Sequence, residues 1–157
     1  MRETEIRSVV DALERAPSII IPLVREVPAD RLKRRPKPGK WSAHEHACHL
    51  AEVNPLFIDR LELMLREKAP RIRPYDPGEA ADPDALLKVD LDEALDRFAR
   101  DRARIVERLR RLSPANWERT AEHPEYARYS VLIAFRHLSL HDGLHAYRIE
   151  EAVLARD

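Results

Sequence analysis

The sequence predicts an all-α fold built as a four-helix bundle, and three observations carry that prediction. Ala, Leu, Arg and Glu are abundant while glycine is scarce, with three in the chain, which favours helix over strand. No segment alternates with period two between hairpin turns. Four separate segments instead repeat apolar residues at i, i+3, i+4 and i+7, the spacing of a helix with one buried face. Facing helices of this kind bury their apolar stripes against one another and place ligand sites between them.

The first helix is marked by Ile6, Val9, Val10 and Leu13 and resumes with Ile20, Ile21 and Val24. Pro17 and Pro22 are expected to break or kink it, because each lacks a backbone N–H and crowds the preceding turn. A connection rich in proline and basic residues follows, from Val27 to Lys40. The second helix starts sharply at a capping box, Ser42 with Glu45, and Trp41 ahead of it can lie over the first turn. His49, Val53, Leu56, Arg60 and Met64 form one stripe of this helix, and Pro55 is expected to open the turn around Ala51.

Residues 69–89 contain Pro70, Pro74, Pro77, Gly78 and Pro83. They are too irregular for a helix and longer than a connection between adjacent antiparallel helices, so they read as a crossover between helices two and three. The third helix carries Leu91, Ala94, Leu95, Phe98, Ile105, Leu109 and Leu112, with Arg102 on the same stripe. The final helix, from about Ser130 to Ala155, carries Val131, Ala134, Leu138, His141, Leu144, His145, Ile149 and Ala152.

At 157 residues the chain reads as a single domain, 1–157, within the usual range of about 100–200. Twenty-eight Lys plus Arg balance twenty-eight Asp plus Glu, so no overall field draws it to nucleic acid or an anionic membrane. No apolar run approaches the ~18–20 residues of a membrane helix, and MRETEIRSVV lacks the apolar region of a signal peptide. A cytoplasmic location is expected. Cys48 is the single cysteine, so a metal site within one chain must be built from histidines and carboxylates.

The seven histidines cluster: His44, His46 and His49 begin the second helix, His123 lies in a loop, and His137, His141 and His145 lie on the last helix. His141 and His145, four apart, project from one side of the helix and can share one cation. His49, on the inward stripe of helix two, is the best third ligand, with His46 less central. Three neutral imidazoles leave a coordination position for water or substrate, as in catalytic zinc sites. The spacing leaves a second reading open, a hydrogen-bonded polar network in the core.

The stretch from Lys40 through Trp41, Ser42, Glu45 and His49 to Leu50, the later Arg60, and the ending from His141 and Asp142 through His145 to Ile149 resemble the DinB/YfiT-like family of four-helix metalloenzymes. The resemblance covers nearly the whole chain. It implies an up-down-down-up bundle, often a homodimer, that binds a divalent metal such as zinc or nickel through His49, His141 and His145. It also implies a small-molecule thiol and an electrophile as substrates, since some members transfer low-molecular-weight thiols such as bacillithiol or mycothiol. The chain departs from the family pattern at Ala127, where relatives often have Gly, and at Tyr147-Arg148, where a Gln often stands.

The catalytic residues are not specified by the sequence, and several polar side chains carry two readings. Asp142 points about 100° away from its neighbouring histidine and reads as a packing residue or a support for an imidazole. Glu52 reads as an exposed salt-bridge partner, a base or an acceptor behind the site. Arg60 and Arg102 interrupt apolar stripes and need partners, either a protein carboxylate or a substrate anion. His137, one turn before His141 on nearly the same face, reads as an alternative ligand or a base. His44, His46 and His123 read as polar or solvated, Cys48 as a small buried hydrophobe, Trp41 and Trp117 as core anchors, and the run Arg31–Lys40 as solvated. The rival to a metal-dependent transferase or hydrolase is a non-catalytic metal-binding or stress-response bundle.

Overall fold

The computed structural model describes residues 2–74 and 82–156. Four long helices carry the architecture: α1 (Arg2–Glu26), α3 (Ala43–Arg66), α4 (Leu91–Arg110) and α6 (Val131–Leu154). Two single turns, α2 (Ala29–Leu32) and α5 (Pro114–Trp117), sit in the connections, and a 3-10 turn at Ala85–Lys88 leads into α4. Among the described residues β-structure is limited to two isolated bridges: Arg71 with Glu122, which ties the crossover to the loop before α6, and Thr120 with Ser130, which closes that loop on itself. The crossover connects α3 to α4 as expected, with Pro77 and Gly78 outside the described residues.

Side-chain contacts give the helix directions. Asn54 and Glu62 on α3 meet Arg102 and Arg108 on α4 in the same order, so these two run parallel. Arg25 and Glu14 of α1 meet Asp92 and Arg110 of α4 in reversed order. His46 and His49 meet His145 and His141 in reversed order too, which sets α3 antiparallel to α6. The bundle therefore runs up-down-down-up, and the parallel middle pair is what the long crossover makes possible.

The prolines do not break the helices. α1 continues through Pro17 and Pro22, and α3 through Pro55. Burial on both sides of each proline explains the difference: Leu13, Ala16, Ile20 and Val24 of α1 all reach the core, so tertiary packing outweighs the lost hydrogen bonds.

Apolar side chains form two clusters. One gathers Leu13, Phe57, Leu61, Ile105, Leu109, Phe135 and Leu138, and the other gathers Ile20, Val24, Leu50, Leu95, Phe98 and Ile149. Between them lies a polar layer. Arg102 donates to both carboxylate oxygens of Asp142, to the Asn54 side-chain oxygen and to the Leu13 carbonyl, so every N–H of this buried guanidinium points at an acceptor.

Candidate metal centre

The site begins with the way α3 starts. Ser42 Oγ accepts the Glu45 N–H at 3.2 Å while Glu45 Oε1 accepts the Ser42 N–H at 3.0 Å, the reciprocal capping box foreseen in the sequence. Arg35 adds two parallel hydrogen bonds, both 2.8 Å, from Nε and Nη2 to the two oxygens of Glu45. Burial pushes the Glu45 carboxyl up, but the bonds from Arg35 and Ser42 outweigh it and hold the group below its ordinary range. This clamp fixes the first turn and with it the azimuth of His46 and His49, three apart on one face.

Across the seam, α6 presents His141 and His145. His49 Nε2 lies 3.1 Å from His141 Nε2, and His145 Nε2 lies 3.0 Å from the same atom. One nitrogen from each of the three rings falls within 4.8 Å of the others. The outer nitrogens are held as well: His49 Nδ1 is 3.1 Å from Glu52 Oε1, and His145 Nδ1 is 2.7 Å from His46 Nδ1. The Trp41 ring forms a wall, with its centroid 4.8 Å from that of His49, 5.5 Å from His46 and 6.0 Å from His145.

Proton counting shows what this donor set suits. His49 gives its Nδ1 proton to Glu52, which leaves a lone pair on Nε2. His141 Nε2 meets two neighbours, yet one ring nitrogen either donates to one of them or accepts. Neutral imidazoles therefore cannot satisfy both contacts. A shared divalent cation can, and the 3.0 and 3.1 Å separations are close to the ~3.3 Å that two nitrogens keep at tetrahedral zinc bond lengths. His141 Nδ1 is buried without a hydrogen-bond partner, a further cost that binding at Nε2 would offset. Burial first, and neighbouring imidazoles second, push His46 and His141 down to about 4 and His145 down to about 2, so the rings are neutral and fit to be ligands.

The structure brings His49, His141 and His145 together and sorts the other candidates. His137 stays outside the converging group and lies near the Tyr126 ring, 5.9 Å between centroids. Asp142 is a packing residue that pairs with Arg102, and the pair gives Arg102 the protein carboxylate it needs. Arg60 donates to the Tyr129 hydroxyl and the Arg73 carbonyl, each at 3.2 Å. Glu52 is the acceptor behind His49. Cys48 is buried, and burial raises its thiol to about 11.

Four expectations need correction. His46 is not a solvated residue; it bonds to His145, and its place three before His49 was the signal for that. His44 is buried, with Nε2 2.9 Å from the Val89 carbonyl oxygen. Trp41 lines the histidine cluster instead of anchoring the core. The basic run is not merely solvated, since Arg35 clamps Glu45 and Arg31 donates to the Ala155 carbonyl at the end of α6.

A four-helix bundle with three imidazoles converging between two antiparallel helices has the arrangement in which helical proteins can hold a divalent metal between side chains. Residues 12–149 match the DinB superfamily, and the chain belongs to that superfamily. A protein of Oceanobacillus iheyensis, named as a proposed metal-dependent hydrolase, is 29% identical over 123 residues, covering 78% of this chain and 70% of its own. A protein of Bacillus mycoides with the same description is 26% identical over 142 residues, covering 89% and 80%. YfiT of Bacillus subtilis, described as a proposed metal-dependent hydrolase with an unusual four-helix bundle topology, superposes with a TM-score of 0.83 over 94% of this chain and 85% of that one, at 24% identity. That likeness bears on the fold. Among the described residues no helix is long and apolar enough to cross a membrane.

Proposed function

We propose that this protein is a divalent-metal-dependent enzyme, with zinc or nickel as the ion, that activates a water or a low-molecular-weight thiol for attack on an electrophile. The observation that carries the reading is the convergence of the His49, His141 and His145 Nε2 atoms, with hydrogen-bond partners on the outer nitrogens of two of the three rings. When bound, the ion supplies charge that lowers the pKa of a water or thiol sharing its coordination sphere, making a nucleophile near neutral pH.

The chain's own residues do the rest. Glu52 keeps the His49 proton at Nδ1 and so directs the Nε2 lone pair inward. Trp41 covers one side of the His46, His49 and His145 rings, which limits water there and strengthens electrostatic interactions in the pocket. The relatives' names support hydrolysis; the family resemblance supports thiol transfer.

Elemental mass spectrometry of tag-free protein tests the reading, beside His49→Ala, His141→Ala and His145→Ala variants that still fold. About one ion per chain in the wild type and loss in each variant is the expected result. Turnover is then assayed with ester and amide substrates against a thiol paired with electrophiles. Failure to take up zinc or nickel would sink the metalloenzyme reading, and metal uptake with no turnover in either assay would favour a structural metal site.

A further inference from the structure

We infer that His46 is a positioning residue for this centre, accepting the proton of His145 Nδ1 and so holding His145 in the tautomer whose Nε2 lone pair faces His49 and His141. The inference rests on the metal-binding reading above. Its basis is the 2.7 Å contact between the two Nδ1 atoms, a distance that requires one proton between them.

That proton has two possible homes with opposite consequences. On His46, it leaves neutral His145 protonated at Nε2, and that N–H points at His141 Nε2, 3.0 Å away, where it blocks a cation. On His145, it frees the Nε2 lone pair for a cation, and His46 carries its own proton on Nε2. His46 is half-buried, and its Nε2 is not among the buried atoms lacking a partner, so that proton is within reach of water. Cation binding and acceptance by His46 Nδ1 are therefore coupled. His46 itself lies outside the group of converging donors, which assigns it a place behind His145 and not a share of the ion.

The arrangement parallels that of His49 and Glu52 with a different acceptor. His49 is backed by a carboxylate, His145 by a neutral imidazole, and His141 Nδ1 by no partner, so the three rings are graded in how strongly they donate to a cation. The capping box and the Arg35 clamp set the position of His46 no less than that of His49, because both lie within the first two turns of α3.

The test is a zinc titration of the full-length protein against a chromophoric chelator, comparing wild type, His46→Leu and His46→Asn. The Asn side-chain oxygen falls near the place of Nδ1 and keeps an acceptor there; Leu does not. His46→Leu is expected to weaken zinc binding about 10- to 100-fold, and His46→Asn to stay within about threefold of wild type. Nitrogen-15 NMR of the zinc-loaded wild type is expected to show His145 protonated at Nδ1 and His46 at Nε2. Unchanged affinity in His46→Leu, equal loss in both variants, or a proton on His46 Nδ1 would overturn the assignment while leaving the centre intact. If His46→Leu does not fold, the wild-type spectrum decides. A wild type that binds neither zinc nor nickel overturns both readings together.

Discussion

Arg102 on α4 and Asp142 on α6 form a two-bond ion pair, 2.6 and 2.9 Å long, in the layer that separates the two apolar clusters. Asp142 directly follows His141, so the pair pins the rotation of α6 at the point where its histidines must face α3. Burial pushes the Asp142 carboxyl up, and the two bonds from Arg102 pull against it. Removing one partner leaves the other buried and uncompensated. Asp142→Ala is expected to cost about 3–5 kcal/mol in urea unfolding, whereas a double change to Arg102→Met and Asp142→Leu should recover most of that loss. A cost below about 1 kcal/mol for the single variant would mean that the pair does not lock the layer.

The start of α3 supplies a second expectation. Ser42→Ala removes the oxygen that caps Glu45 N and is expected to lower stability by about 1 kcal/mol. Arg35→Met should destabilise as well, because Glu45 is fully buried and loses both charged bonds. Zinc affinity should fall in Arg35→Met even where the chain remains folded, since the first turn carries His46 and His49. Thermal melts and zinc titration of the same samples check the two effects.

How far the sequence could be read follows from the range of each signal. The capping box, the helix stripes and the HxxxH pair are local, so Ser42, Glu45, His141 and His145 could be placed from spacing, with His49 selected by its inward stripe. Arg102 showed itself as a charge on an apolar stripe, but its partner lies forty residues away on α6, and no local pattern names that pairing. His46 and Trp41 escape local patterns for the same reason: both meet His145, on a helix far along the chain. The helix-breaking power assigned to Pro17 and Pro22 was a local propensity overruled by burial of the residues on either side.

Acid should destabilise the metal-free protein, and the sign follows from the imidazoles. His46 and His141 are held at about 4 and His145 at about 2 in the fold, against about 6.5 in an unfolded chain. Between these limits the unfolded state binds more protons, so the stability present above about pH 6.5 is lost as pH falls through the folded values. Glu45, held low mainly by Arg35 against its burial, adds loss in the same direction at the acid end. One imidazole shifted this far accounts for about 2.5 kcal/mol by pH 4.5, so the three together are expected to cost more than about 3 kcal/mol, or more than about 6 °C in Tm. A Tm that is flat from pH 7 to 4.5 would show that the histidines are not buried as neutral rings.

Glu52 offers a test of the carboxylate behind His49. Its Oε1 accepts the Nδ1 proton at 3.1 Å from a half-exposed position, so Glu52→Gln keeps the shape and an acceptor oxygen but removes the charge that makes the imidazole a stronger donor. Zinc affinity is expected to fall about tenfold, near the lower end of such effects. The same change is readable as stability, because an ion that binds the folded state alone stabilises it in proportion to the logarithm of its saturation. At free zinc about 100 times the wild-type Kd, the wild type gains about 2.7 kcal/mol and the variant about 1.4. The difference amounts to about 3–5 °C in Tm, against nearly equal melting temperatures without metal. Equal zinc-induced shifts in the two proteins would show that Glu52 is a surface carboxylate whose charge the centre does not feel.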